Sequence, residues 1–463
     1  MFRNIADTFA NCFKIPELKS RIWFTIGVLA IVRLTAFVRV PGLDGTALSN
    51  YFNSHSQGGA MNMVNMFNGG ALGNCAIGGI GIMPYISATI IIQLLTAVWP
   101  KLSKLSREEG GRAKIVQYGR YLTVLLCLGW GFATAISWEN PGKAFGGDIS
   151  RLVLFSDNHL WWYRIQTTLI LTTGTMLLMW LGEQITERGV GNGVSLVITI
   201  GIVARLPAAA RGLQDMFGGS HPEHSFIGAG LVMLFLLAAV IAGVIAITQA
   251  QRKIPVQYAQ RAVGRKMYAG GTSFMPLKVN YAGVMPIIFA QSILMFPPII
   301  FKNASIFFSK NPFWSEIFRQ LGAALDPQTA SFWYLGTYSL MILFFSYFWV
   351  ATQFNEIQIA DDLKKNGGYI PGVRPGQGTS DYLHKAMSRI TLAGAIFLTV
   401  IATIPIILSR QLGIPYAVSS FFGGTSILIT VGVLLDTMRQ IESHLMMRHY
   451  DGFLKKGKLR GRF

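Results

Sequence analysis

Residues 61–88 read MNMVNMFNGGALGNCAIGGIGIMPYISA, and this stretch decides how the chain has to fold. Its first part, up to Gly73, is semi-polar and too short to cross a bilayer, and a run of glycines then leads into Pro84 and an apolar segment. Irregular backbone at membrane depth is tolerated only inside protein or along a water-filled cavity. On the residues alone, the stretch is either a surface loop or a short re-entrant helix, at about 62–74, joined flexibly to the apolar segment.

The composition places this stretch in a membrane protein. The chain has 463 residues, of which 51% are hydrophobic and only 13% are charged. Soluble domains carry about 25% charged residues, and several apolar runs here exceed the roughly 18 residues that indicate a spanning helix. We therefore expect an all-α polytopic membrane protein.

Ten apolar segments are candidate spans, so both chain termini should lie on the same side of the membrane. The fifth candidate is short and is interrupted by glycines. The approximate ranges are 22–40, 76–98, 115–138, 161–182, 190–207, 226–249, 281–301, 331–353, 387–408 and 416–438.

The basic residues orient these spans. The net charge is +19, and 28 of the 40 Lys and Arg residues fall on the side that holds the chain termini, against eight on the other side. The remaining four lie within spans or at their edges. Because cytoplasmic loops carry the excess of Lys and Arg, the sequence predicts that both termini are cytoplasmic.

Two cytoplasmic loops and the chain end are larger than a simple turn requires. Residues 250–280 are basic and contain a strand-like alternation at 253–258, while 354–389 contain a short helical pattern and then a turn-rich tip around Arg374. The tail, 439–463, is also basic. Each segment alone could be a solvated topology signal, whereas together they also suit docking of an acidic or phosphate-rich partner.

Enzymatic and metal chemistry have little support in the sequence. There is no phosphate-binding GxxxxGK[ST] loop, the three cysteines have no metal or redox spacing, and no nucleophile has a base beside it. The group His221, Glu223 and His224 offers too few ligands for a metal site. We therefore expect no catalytic residue, no metal and no cofactor.

Charges inside the spans separate a conduit from a carrier. Only Arg33 lies well within an apolar run, and Arg120, Arg164 and Glu183 fall near span ends, where long side chains can snorkel to the interface. Ion-coupled carriers usually place ionisable groups near the bilayer midplane. A secondary transporter with inverted repeats remains the alternative to a neutral conduit.

Several motifs resemble those of the SecY family, the channel subunits of the bacterial protein-export translocon. The resemblance covers about residues 20 to 460 in the right order. It rests on 66–72 followed by 81–88, on 174–193, on Pro276-Leu277-Lys278-Val279-Asn280, on 371–376 and on Phe422-Gly423-Gly424-Thr425-Ser426.

The resemblance implies a fold and a function. It predicts two pseudo-symmetric halves of five spans around a central pore, at 1–215 and 216–438, followed by the basic cytoplasmic tail. The expected function is a protein-conducting channel that passes unfolded preproteins across the bacterial inner membrane and releases membrane segments sideways. The implied partners are the small membrane subunits SecE and SecG, the motor ATPase SecA, the ribosome with its rRNA phosphates, signal sequences and the lipid bilayer.

The resemblance also implies roles for individual residues. A ring of branched alkyl side chains gates a pore by excluding water, although ordinary packing isoleucines are the alternative. The expected pore ring is Ile82, Ile86, Ile198, Ile288 and Ile429. The expected plug residues are Asn62, Asn65, Phe67, Asn68, Gly69, Gly70 and Leu72. The expected lateral gate, between spans two and seven, includes Ser87, Gln93, Gln291 and Ser292.

Docking of the motor or the ribosome is expected at basic residues of the two loops, namely Arg252, Lys253, Arg265, Lys266 and Arg374. Lys266 stands where some members of the family have a second arginine. Lysine keeps the charge but loses the bidentate geometry of the guanidinium group.

Overall fold

The structure is a computed structural model, and it describes most of the chain. The described ranges are 15–54, 60–108, 110–141, 152–154, 159–207, 209–211, 226–258, 261–263, 266–268, 272–308, 311–326, 331–411 and 425–456.

Helices dominate the fold, as predicted. They are α1 Pro16–Leu34, α2 Gly45–Ser54, α3 Ala60–Phe67, α4 Met83–Val98, α5 Pro100–Arg107, α6 Gly111–Glu139, α7 Leu160–Arg188, α8 Gly193–Val203, α9 Phe226–Gln249, α10 Met285–Leu294, α11 Phe296–Phe307, α12 Pro312–Ala324, α13 Phe332–Gln353, α14 Glu356–Lys365, α15 Gln377–Gln411 and α16 Thr425–Lys456. The strands are β1 Gln251–Tyr258, β2 Arg261–Val263, β3 Lys266–Tyr268, β4 Thr272–Lys278 and β5 Gly368–Tyr369.

Each of the ten predicted spans overlaps a helix. Among the described residues, five helices are long and apolar enough to cross a membrane, or six if α4 and α5, bent by 103° at their junction, are counted as one. The bend follows from Pro100, which begins α5. The predicted start of the second span at 76 was too early, because irregular backbone continues to Ile82 and the helix begins at Met83.

The chain packs as two compact units. One consists of Met1–Asp215 with Val433–Phe463, and the other consists of Met216–Gly432. The first boundary coincides with the end of the predicted first half, whereas 433–438 group with the first unit instead of the second. The division of the pore into functional halves stays a prediction.

In the first unit, helices α6 and α7 form a hairpin with an ion pair at each end. Arg120 Nη2 lies 2.8 Å from Glu183 Oε2, and Arg164 Nη2 lies 2.9 Å from Glu139 Oε2. Both pairs are bidentate. Each of these arginines near a span end therefore joins the two helices through an ion pair.

The predicted basic tail is not a separate element over its described part. Helix α16 continues to Lys456, and its residues Ile441 and Leu445 pack against Leu18 and Val190. The turn between α7 and α8 binds this helix directly, because the Gly191 amide donates to Gln440 Oε1 at 3.0 Å.

The second unit contains a small sheet in the predicted cytoplasmic loops. Strand β1 lies between β4 and β5 and is antiparallel to both. Ile254, Val256 and Leu277 point into a core shared with Phe354 and Leu383. The strand-like alternation at 253–258 and the short helix near 355–366, here α14, are confirmed.

Candidate functional site

The predicted plug is a short helix followed by a compact, irregular loop. Helix α3 ends at Phe67 rather than near 74, because Gly69 and Gly70 adopt φ values of +62° and +92°, which L side chains rarely tolerate. Residues 71–82 then run in turns towards α4. The predicted helix was therefore too long by about two turns.

Asparagine side chains hold the plug loop together through backbone groups. Asn65 Oδ1 accepts from the Gly73 amide at 2.9 Å, and Asn68 Nδ2 donates to Gly79 O at 2.7 Å. Asn74 Nδ2 donates to Ala36 O at 3.2 Å, beyond the end of α1. In this conformation these amides satisfy backbone groups of the plug loop and of its seat. Asn62 lies on α3.

The plug loop is seated on the extended backbone that follows α1. The Val40 amide donates to Cys75 O, the Ile77 amide donates to Val38 O, and Arg39 forms an isolated bridge with Ala76. Ala71 and Leu72 are almost completely buried above this seat. These backbone bonds fix the register of the loop relative to the first predicted span.

Helix α8, in the fifth predicted span, forms the other side of the seat. A Cβ atom at Gly201 would collide with Phe67 O and would crowd the Gly69 amide. The close approach therefore requires glycine at position 201. A small cavity remains beside this contact, lined among others by Val32, Arg33, Asn68, Ile82 and Val197.

Two arginines reach the turn at Gly69 and Gly70, and the sequence interpretation missed both. Arg33 Nη1 donates to Gly69 O at 2.8 Å, and the Arg205 guanidinium lies against Gly70. The signal for Arg33 was its isolated position in an apolar run, whereas Arg205 is one of the eight basic residues that were counted on the outward side.

The five predicted ring isoleucines are all buried. In the first unit, Ile82 is the N-cap residue of α4, Ile86 follows one turn later, and Ile198 lies on α8. In the second unit, Ile288 lies on α10 and Ile429 on α16. Isoleucines that only pack the core are buried as well, so burial does not distinguish the two roles and the ring stays a prediction.

The predicted gate residues differ in how well their polar atoms are satisfied. Ser87 Oγ donates to Met83 O and Ser292 Oγ donates to Ile288 O within their own helices. Gln291 Nε2 donates to the Thr425 hydroxyl. In the described part of the chain, the side-chain oxygens of Gln93 and Gln291 are buried without a hydrogen-bond partner, which is costly in a folded protein.

Three of the predicted docking residues are exposed on the loops. Arg252 and Lys253 are exposed on β1, and Arg374 is exposed in a tight turn between Gly372 and Gly376, both with positive φ. The Thr379 hydroxyl donates to Arg374 O and braces the turn. Lys266 lies on β3, while Arg265 lies outside the described residues. His221, Glu223 and His224, which were judged too few ligands for a metal site, also lie outside them.

Comparison with solved structures supports the fold. A solved protein-conducting channel aligns with a TM-score of 0.58 at 16% identity. A SecY structure concerned with the plug domain, the closed state and the membrane seal aligns with a TM-score of 0.61 at 17% identity. Canine Sec61 from a ribosome-channel complex gives 0.54 at 15% identity. Each alignment covers 97% of this chain and 99% of the other.

Sequence comparison gives the family. The protein translocase subunit SecY of Chlamydia trachomatis is 42% identical over 98% of this chain and 99% of its own length. The Thermotoga maritima subunit is 40% identical with the same coverage, and the Vibrio cholerae subunit is 42% identical over 96% of both chains. The sequence model of the SecY family matches residues 76–438. This chain therefore belongs to the SecY family.

Proposed function

We propose that this chain is the protein-conducting channel subunit of a translocase. Its relatives are named as translocase subunits, and a solved structure that aligns with it is a protein-conducting channel. The observation that carries the proposal is the buried plug loop, which is seated on backbone from the first predicted span and on a glycine of the fifth. A water-soluble segment would not need such a seat, and a packing helix would not be broken by two left-handed glycines. The channel opens for a passing chain and catalyses no reaction of its own.

In this proposal the plug, at about 62–74, closes the pore from the outward side, and the five isoleucines form its constriction. Buried branched alkyl side chains suit a constriction that excludes water at rest. The absence of ionisable side chains at these five positions is consistent with a conduit for polypeptides of any charge.

The lateral gate is proposed at the segments that carry Ser87, Gln93, Gln291 and Ser292. Within the described ranges, the two glutamines keep buried amide oxygens without a hydrogen-bond partner. A buried unpaired acceptor costs roughly 1–3 kcal/mol, so an arriving helical segment or water that supplies a donor would stabilise a rearranged gate. The unpaired oxygens therefore support a gate whose side chains change hydrogen-bond partners when it opens.

The energy must come from partners, since the family is one of channel subunits. We propose that Arg252, Lys253, Arg265, Lys266 and Arg374 dock a motor ATPase such as SecA or the ribosome, and that SecE and SecG accompany the chain. The exposed turn that presents Arg374 suits paired bonds to carboxylate or phosphate groups. With its basic excess on the docking side, the chain is a multi-pass protein whose termini we place in the cytoplasm of a bacterium, with the spans in the inner membrane.

Crosslinking of a stalled secretory chain tests the proposal. Photoreactive residues placed at Ile86 and at Ile288 should crosslink to the stalled chain, because both positions are proposed to line its path. The matched control is Ile254, which is equally buried but lies in the core of the cytoplasmic sheet. Crosslinks at all three positions, or at none of them, would contradict a defined path past the two ring residues.

A further inference from the structure

The turn at Gly69 and Gly70 is held between two positive charges that come from different helices. Arg33 lies in the last turn of α1, and Arg205 follows the end of α8. Both belong to the first compact unit. We call them the arginine pair.

Arg33 makes a specific bond to the plug. Its Nη1 donates to Gly69 O at 2.8 Å, and its guanidinium stacks over the Phe37 ring with 4.9 Å between Cζ and the ring centroid. The stacking restricts the side chain and aims its donors towards the turn. The left-handed backbone at Gly69 presents the carbonyl to this donor.

Arg205 contacts the same turn without an equivalent bond. A Cβ atom at Gly70 would stand 3.0 Å from Arg205 Nη2, so the guanidinium packs directly on the backbone there. Its Nε is buried, and the described part of the chain offers that atom no hydrogen-bond acceptor. Neither arginine has an ion pair within the described ranges, and the two guanidinium groups repel each other.

These contacts give the two residues opposite energetic roles. A hydrogen bond to a charged donor stabilises the state that contains it, whereas a buried donor without a partner destabilises that state. Departure of the plug breaks the Arg33 bond, and it also exposes Arg205 to water, which screens the repulsion between the two charges. Arg33 therefore favours the seated plug, and Arg205 opposes it.

We propose that the arginine pair sets the threshold for plug release, with Arg33 as the residue that holds Gly69 and Arg205 as the residue that limits this hold. The inference rests on the plug assignment proposed above and adds the residues that position the plug. The proposed role concerns the resting equilibrium of the channel rather than motor binding.

The test compares Arg33→Leu with Arg205→Leu in the reconstituted complex. Loss of a charged hydrogen bond should shift the ratio of released to seated plug by roughly tenfold or more towards release for Arg33→Leu. Resting ion conductance should rise, and a preprotein with a defective signal sequence should be exported better. Arg205→Leu should do the reverse. Arg33→Lys, which keeps the charge but changes the reach, should lie between wild type and Arg33→Leu.

Controls separate this inference from the plug assignment and from misfolding. Arg211→Leu removes an exposed arginine of the same outward region and should change neither measurement. If Arg33→Leu and Arg205→Leu shift conductance in the same direction, or not at all, the opposed roles are wrong. Deletion of 62–74 is the second arm. Unchanged conductance in that deletion would overturn the plug assignment itself, whereas a leak there with silent arginine variants would overturn only the arginine pair.

Discussion

Helices α4 and α10 begin with nearly the same sequence, yet different neighbours hold the two beginnings in place. The first reads Gly81-Ile82-Met83-Pro84-Tyr85-Ile86 and the second reads Gly283-Val284-Met285-Pro286-Ile287-Ile288. In both, the glycine has a positive φ, at +68° and +62°, and the N-cap residue lies near φ −91° to −95°. The two compact units thus start an apolar helix by the same local geometry.

The hydrogen bonds of the first turns also agree. The amides of Tyr85 and Ile86 both donate to Ile82 O, and the amides of Ile287 and Ile288 both donate to Val284 O. Proline in the first turn has no amide hydrogen to leave unpaired, and its φ is already helical. The local sequence is therefore sufficient to explain where each helix begins.

The difference lies in what occupies the space beside each glycine. The plug residue Asn68 fills the position that a Gly81 side chain would take. At the second start, Asn280 Nδ2 donates to Gly283 O at 3.0 Å, and Asn280 follows strand β4. The first start is coupled to a segment proposed to move, and the second is coupled to a sheet, so equivalent substitutions should have unequal functional effects.

The largest expected effect follows from the predicted ring residues, three of which (Ile82, Ile86 and Ile288) lie at these two starts. Replacement of Ile82, Ile86, Ile198, Ile288 and Ile429 together by serine should allow water into the constriction and produce a large ion leak at rest, because hydroxyl groups retain water that alkyl groups exclude. The leak is measured as the resting ion conductance of reconstituted proteoliposomes.

The equivalent position in the second start supplies the control. Val284 is buried against Gly432 of α16, so Val284→Ser should destabilise the fold by roughly 1–3 kcal/mol without a leak. Single Ile82→Ser should leak with a smaller loss of stability. If Ile82→Ser only lowers the unfolding temperature and conducts nothing, the ring residues are packing residues.

The next effect concerns the two left-handed glycines. Any L residue in this conformation costs roughly 1–2 kcal/mol, so Gly283→Ala should lower the unfolding temperature of the purified complex. Gly81→Ala should lower it further, since the new methyl group must also displace Asn68. It should also loosen the plug and raise resting conductance. Equal losses of stability and no leak would show that the plug contact at Gly81 has no influence on the closed state.

A smaller effect should come from the asparagines themselves. Asn68→Asp keeps the shape but removes the donor to Gly79 O, and a neutral buried hydrogen bond contributes roughly 0.5–1.5 kcal/mol. We expect this variant to export preproteins with weakened signal sequences. Asn280→Asp removes the donor to Gly283 O and should leave signal-sequence stringency unchanged. The measurement is an export assay with paired normal and defective signal sequences. Relaxed stringency in both variants would contradict the link between Asn68 and the plug.

Local sequence predicted the helices better than it predicted the seat of the plug. Periodicity and apolar length placed helices in all ten predicted spans, and the alternation at 253–258 placed β1, because these features depend on neighbours in sequence. The contacts of Arg33 and Arg205 with Gly69 and Gly70 join segments more than 30 and more than 130 residues apart along the chain. No single window of the sequence contains that information. Arg33 was therefore interpreted as an isolated charge in a span, and Arg205 was interpreted as a loop charge.

The same reasoning explains the errors at helix ends. The plug helix was extended to 74 because the family resemblance places the plug at about 62–74. The left-handed backbone that follows Phe67 is instead packed against residues of α1 and α8. Likewise, Arg120 and Arg164 were read as snorkelling charges, although their partners Glu183 and Glu139 lie on a neighbouring helix. Charge position along one span does not reveal a partner on the next.

The smallest expected difference comes from the two prolines, and it tests whether the starts are equivalent in the absence of their neighbours. Pro84 and Pro286 are both buried in a first helical turn. Substitution by alanine adds an amide hydrogen that has no intrahelical acceptor there and releases conformational freedom in the unfolded chain. Each change should cost about 1 kcal/mol, and Pro84→Ala and Pro286→Ala should agree within about 0.5 kcal/mol, because the local geometry is the same. Thermal unfolding of the two variants under identical detergent conditions gives the comparison. A clearly larger loss for Pro84→Ala would mean that the plug, and not the local sequence, positions the start of α4.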